Sequence, residues 1–220
     1  MMIAMCPSAS ESETFRRIER AVNGDQQAWT ELIEACHARL RRMVAVRIDP
    51  RLHGRIDPSD VIQEAYLDAS RRLTEYRDQP ELPFYLWLRF LVEQRVAEQH
   101  RRHLGAAARD AGREISIHRR GLPRGSTAAL AAQLFAKLPS PSQAAIRAER
   151  RLRLQEALNT INADDREVIL LRNYEQLTNG ETAKVLGLDK SAASKRYIRA
   201  LFRLKELLVS FGFDPLEEDK

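Results

Sequence analysis

The sequence predicts an all-α protein, two small helical domains joined by a long basic linker. Three observations carry this. Apolar residues recur at gaps of three and four along both ends of the chain. No run of strand length alternates apolar and polar residues. Between residues 104 and 142 the helical pattern dissolves, over a length unusual for a loop inside one domain. Composition agrees: 220 residues fit one or two small domains, 44 % hydrophobic residues supply a core, and 6 % aromatics is low for an all-β chain.

Residues 1–12 read as a disordered N-terminus, with neither the basic start nor the long apolar run of a secretory signal. A first helix spans Glu13 to Val22, with Phe15, Ile18 and Val22 on one face, and Asn23-Gly24-Asp25 breaks it. A second carries Trp29, Leu32, Ile33, Cys36, Leu40, Met43, Val44 and Ile48 at helical spacing and stops at Asp49-Pro50. Asp57 caps a third, Pro58 suits its first position and Asp60 its first turn; it is expected to reach about Leu73. A polar loop is expected from Thr74 to Leu82, then a helix from Phe84 to about His103 with Phe84, Trp87, Leu88, Leu91 and Val92 inward. These residues, 13–103, form the first expected domain.

The linker, 104–142, holds glycines, prolines and most of a run of seven arginines between 101 and 124, with one short helix near Ala128 to Leu138. The second expected domain is 143–210, with helices from Gln143 to Ile161, Asp164 to Tyr174, Asn179 to Leu186 and Lys190 to Leu208. Residues 211–220 form an acidic tail.

Several function classes drop out. Two cysteines are too few for a disulfide framework or a cysteine zinc site, and Cys36 reads as a buried free thiol. No stretch approaches the ~20 apolar residues that span a bilayer, so no membrane insertion is expected and the cytoplasm is the expected location. No phosphate-cradling glycine loop or nucleophile elbow is present. His100-x-x-His103 has no further ligands nearby and reads as phosphate-facing or solvated. No catalytic residue, metal or cofactor is therefore expected.

The net charge of +5 points weakly to an acidic partner, but its distribution says more. Residues 181–205 hold seven Lys or Arg against Glu181 and Asp189. Thr178-x-x-Glu181 is a capping box, Gly187 supplies a left-handed turn, Leu188 can plug it and Asp189 caps the next helix. That is the pattern of a helix-turn-helix, whose second helix presents its N-terminal part to the major groove. Lys190, Ser191, Ser194, Lys195, Arg196 and Arg199 are the expected DNA-facing residues, and Ala192 and Ala193 leave room for close approach.

Glu181-Thr182-Ala183, Leu186-Gly187-Leu188, Lys195-Arg196 and Arg199-Ala200 with Leu204 resemble region 4 of sigma-70 factors of the extracytoplasmic-function (ECF) group. Asn23-Gly24-Asp25 with Ala28-Trp29, and above all Asp57-Pro58-Ser59-Asp60-Val61-Ile62-Gln63-Glu64-Ala65-Tyr66, resemble region 2 of the same family. The Arg55–Asp60 and Ser194–Leu201 runs resemble variants found in planctomycetes. One departure is Ala192-Ala193, where many relatives have Thr-Val.

The resemblance implies a transcription initiation factor that binds core RNA polymerase and promoter DNA. It implies that the helix around Asp60, Gln63 and Glu64 docks on the polymerase clamp helices. The six residues of the second helix would hold the −35 element. Tyr76 and Arg77 in the loop, with Arg89, Arg95, Arg101 and Arg102 on the following helix, would capture the −10 element, since aromatics and arginines suit unstacked bases. It places an apolar groove around Ile169, Leu170 and Leu207 near the polymerase flap. The linker reads either as a solvated tether or as a segment threading near the polymerase cleft. Members of the group often have an anti-sigma partner, which no residue here names. A helix-turn-helix regulator that never joins polymerase would explain the C-terminal half but not the Asp57–Tyr66 stretch.

Overall fold

The computed structural model describes residues 11–48, 52, 55–104, 127–136 and 144–212, and every regular element among them is helical. In chain order these are α1 (Glu11–Val22), α2 (Gln26–Arg47), α3 (Pro58–Asp78), α4 (Phe84–Leu104), α5 (Thr127–Ala136), α6 (Ala144–Thr160), α7 (Ala163–Ile169), a π-helical turn (Leu170–Tyr174), α8 (Asn179–Leu186) and α9 (Lys190–Ser210). Helices α1 to α4 form one compact unit and α5 to α9 a second. The arginine-rich stretch 105–126 and the tail beyond Gly212 lie outside the described residues.

In the first unit most of the apolar stripe that the spacing indicated is core, whereas Phe15 is exposed and Val22, Trp29, Ile33 and Trp87 are half-buried. Ile18 of α1, Leu32, Cys36, Leu40, Met43 and Val44 of α2, and Leu88, Leu91 and Val92 of α4 are buried. Helix α2 starts where Asp25 accepts the Ala28 N–H at 3.0 Å. Helix α3 starts where Asp57 accepts the Ser59 N–H at 2.7 Å, with Pro58 in its first turn.

One boundary differs from expectation. Helix α3 does not stop near Leu73 but runs to Asp78, so most of the expected Thr74–Leu82 loop is helix. Its buried stripe of Val61, Ile62, Ala65, Ala69 and Leu73 continues to Tyr76, three residues further on, and that burial holds the last turn in place.

In the second unit α5 packs against α6, burying Leu130 and Ala131. The Thr127 hydroxyl lies 2.9 Å from the Asn159 side-chain oxygen. Asn162 caps α7 by accepting the Asp165 N–H at 2.8 Å. Helix α7 widens into the π turn, closed by the Glu175 N–H donating to the Leu170 carbonyl at 3.0 Å. Gln176 then takes φ +58°, in the left-handed region, and the Leu177 N–H returns to the Leu171 carbonyl at 2.9 Å. Ile169 and Leu170 are fully interior, so they form core and not an exposed groove; Leu207 is half-buried.

Candidate nucleic-acid interface

The helix-turn-helix is built by three caps. The Glu181 N–H donates to the Thr178 hydroxyl at 3.2 Å and the Thr178 N–H donates to the Glu181 carboxylate at 2.8 Å, completing the capping box of α8. Gly187 turns the chain at φ +64°, and the Leu188 N–H closes on the Ala183 carbonyl at 2.9 Å. Asp189 then starts α9 by accepting the Ala192 N–H at 2.8 Å. The Asn179 amide donates to the Lys190 carbonyl at 2.8 Å, tying the start of α8 to the start of α9.

Six side chains of α9 were expected to face DNA. Lys190, Ser191, Lys195 and Arg199 are exposed, and Ser194 and Arg196 are half-buried. Arg196 is turned toward α7, where its guanidinium sits 3.3 Å from the Asp164 carboxylate. The two alanines differ: Ala192 is half-buried, whereas Ala193 is fully buried with Ala200 and Leu204 on the inward stripe of α9. Ala193 is therefore small because the core requires it, and it does not widen the approach to DNA.

Behind α9 a polar brace fixes the helix. The Tyr197 hydroxyl lies 3.2 Å from the Asn173 side-chain oxygen, and the Arg172 guanidinium sits over the Tyr197 ring at 5.3 Å. The other arm of Arg172 donates to the Leu177 carbonyl at 2.8 Å, so one side chain ties the turn before α8 to the middle of α9. Arg203, which sequence reasoning passed over, pairs with the buried carboxylate of Asp165. Its spacing from Arg196 and Arg199 was the available signal.

In the first unit Asp60 and Gln63 are exposed and Glu64 is half-buried, along one face of α3. Leu67, one turn further, is 59 % exposed and extends the same face.

The six residues expected at a −10 surface divide. Tyr76 is not in a loop and not at the surface. It is 7 % exposed, its hydroxyl donates to the Leu82 carbonyl at 2.8 Å, and its ring stacks on Trp87 at 4.5 Å and meets the edge of Phe84 at 5.8 Å. Arg89 is 2 % exposed and pairs with Glu93 at 3.2 Å, an intrahelical pair that burial holds inside the unit. Both are thus framework residues. Arg77 lies in the last turn of α3 beside Asp78 at 2.8 Å. Arg95 pairs with Asp68 of α3 and with Glu98, and Arg102 shares Glu98 at 2.6 Å. The hydrogen bond that Arg95 donates to the Asp68 carboxylate favours the charged guanidinium and raises its pKa. Arg101 is exposed.

The family model described as Sigma-70, region 4 matches residues 151–204, from α6 through most of α9. The ECF RNA polymerase sigma factor SigD of Mycobacterium tuberculosis is 30 % identical over 195 residues, covering 89 % of this chain and 84 % of that protein. The chain belongs to the ECF group of sigma-70 RNA polymerase sigma factors. As such it is a transcription initiation factor that recognises promoters together with core RNA polymerase. The sigma factor is also 26 % identical to RNA polymerase sigma factor CnrH of Cupriavidus metallidurans, over 86 % of this chain and 91 % of that one. A solved structure of CnrH in complex with the cytosolic domain of CnrY matches with a TM-score of 0.52 at 21 % identity, over 90 % of this chain and 97 % of that chain, and shares the all-helical fold.

Proposed function

We propose that this sigma factor grips promoters at two places. Residues 143–210, with α5 packed against them, hold the −35 element, and residues 13–103 hold core polymerase and the −10 element, with the arginine-rich stretch 105–126 as the basic connection and 211–220 as an acidic tail. The observation that carries the −35 assignment is the exposed edge of Lys190, Ser191 and Lys195 on the first turns of a helix capped by Asp189. Ser194 and Arg199 complete that edge, and Arg196 serves mainly to brace it.

At the other grip Arg77, Arg95, Arg101 and Arg102 are the cations that reach the surface, and they replace the larger expected set. Asp60, Gln63 and Glu64, extended by Leu67, form the face for the polymerase clamp helices. The exposed apolar side chains of α9, Ile198, Leu201, Phe202 and Val209, are available to the flap. An anti-sigma domain is a further candidate for these apolar faces; the solved CnrH is itself in complex with another protein's domain, the cytosolic domain of CnrY. The reading needs no catalytic step and no cofactor. No described helix is long and apolar enough to cross a membrane.

Run-off transcription with core polymerase on genomic fragments tests this directly. The complete chain should direct discrete start sites. Lys195→Ala should weaken promoter use while core binding, read by co-purification, is kept. Asp60→Ala should weaken core binding. Absence of both core binding and promoter-specific transcripts would refute the proposal.

A further inference from the structure

Helix α5 (Thr127–Ala136) lies outside residues 151–204, the span that the region 4 family model matches. It packs against α6 and against the π-helical turn, Leu170–Tyr174. Leu130 and Ala131 are fully buried, and the Thr127 hydroxyl donates to the Asn159 side-chain oxygen at 2.9 Å. Helices α6 to α9 close a core of their own beneath it: α9 packs on α6, α7 and α8, and Val168, Ile169, Ala183, Ala193, Ala200 and Leu204 are buried. Alone, α5 would be marginal. It has 10 residues, and helices shorter than ~12–15 residues scarcely form in water. Pro139 and Pro141 stand between α5 and α6 in the sequence and stop one helix from running into the other. The order of α5 therefore comes from the surface under it. None of its ten residues is charged, so that surface is an apolar seat for one short helix. Leu170, where the resemblance placed an apolar groove, belongs to the turn that α5 meets and is 1 % exposed.

We infer that α5 is an internal occupant of a helix-docking surface on the second unit, and that core RNA polymerase takes this surface by displacing α5. The inference rests on the binding of core polymerase and adds a step that precedes it. A short uncharged helix seated through Leu130 and Ala131 can be exchanged for a partner's helix with a similar apolar face. Such an exchange leaves no apolar surface bare, because the arriving helix covers the turn at Leu170 and Leu171 as α5 leaves. In the free chain α5 keeps that patch from other proteins. Displacement also gives reach. With α5 docked, the connection between the two units is 105–126; with α5 released it extends to 143, ahead of α6. Two units of one chain that seat on one large enzyme gain from that added length, since ten residues span about 15 Å as a helix and about 33 Å when extended.

The test is hydrogen exchange on the full chain, free and in complex with core polymerase. In the free chain the amides of α5 should exchange more slowly than those of a synthetic peptide of residues 127–136. On core binding they should lose most of that protection while α8 and α9 keep theirs. Protection of α5 that is absent in the free chain, or that persists in the complex, would overturn the inference. A chain that does not bind core at all would instead refute the core-binding reading. Leu130→Asp should undock α5 in the free chain. A surface covered about 90 % of the time lowers apparent affinity about tenfold, so this variant should bind core up to about tenfold more tightly. Equal or weaker binding would count against displacement. Loss of protection in α8 and α9 of Leu130→Asp would make α5 part of the core of the unit and would overturn the inference as well.

Discussion

Replacing Tyr76 separates a framework role from a base-capturing one. The side chain is 7 % exposed, and its hydroxyl donates to the Leu82 carbonyl at 2.8 Å. Tyr76→Phe deletes that bond and keeps the ring. Leu82 is half-buried, so water can reach its carbonyl and the loss should be about 0.5–1.5 kcal/mol. Tyr76→Ala also removes the ring stacked on Trp87 at 4.5 Å and opens a cavity behind Phe84, which should cost about 3–5 kcal/mol. Both tryptophans, Trp29 and Trp87, lie in the first unit, so urea unfolding followed by tryptophan fluorescence reports on this half of the chain. Promoter opening, read by permanganate reactivity of unpaired thymines, should be unchanged in Tyr76→Phe. A variant with wild-type unfolding and lost opening would mean the hydroxyl faces DNA, and the burial argument would fail.

Other perturbations have equally definite outcomes. Thr178→Ala removes the hydroxyl half of the capping box, the acceptor of the Glu181 N–H, and should destabilise the second unit by about 1 kcal/mol, seen as faster hydrogen exchange in the first turn of α8. Gln176→Gly should stabilise that unit by roughly 0.5–1 kcal/mol, because glycine accepts φ +58° without the side-chain penalty; a lowered melting temperature would contradict the turn geometry. The Asp25 carboxyl is held below its ordinary value, first by the Ala28 N–H it accepts and then by Arg20. A depressed carboxyl contributes stability above its unfolded pKa and loses it as pH falls through the lowered folded value. Acid unfolding of the first unit should therefore flatten below about pH 4 in Asp25→Asn, which still caps α2 but does not titrate.

The helix-turn-helix was legible because its signals are local and chemical. Thr178, Glu181, Gly187 and Asp189 each act within four residues of their own position, and each does what its side chain dictates. The end of α3 was not legible. Thr74, Glu75, Arg77 and Asp78 look like a loop, and only the burial of Tyr76 against Phe84 and Trp87, supplied by the next helix, makes them helical. Arg89 misled for a related reason. An arginine on an amphipathic helix is usually at the surface, and Glu93 four residues on was the sign that it had a partner inside. Ala193 reads as a surface residue until α9 is packed, when the inward stripe through Ala200 and Leu204 claims it. The Arg196–Asp164 and Arg203–Asp165 pairs span 32 and 38 residues, a separation no local pattern encodes.

The π-helical turn sets a rule for chain length. Between Ile169 and Thr178 the backbone gains one residue relative to an α ladder, and everything downstream takes its rotation from that step. Removing one residue there would turn the following chain by about 100° around the helix axis. Leu177 and the Thr178 cap would swing away from α7, and α8 and α9 with them. The connection at 79–83, by contrast, lies between two separate helices, α3 and α4. Insertions and deletions should therefore be better tolerated at 79–81, ahead of the Leu82 carbonyl that Tyr76 binds, than at 170–177.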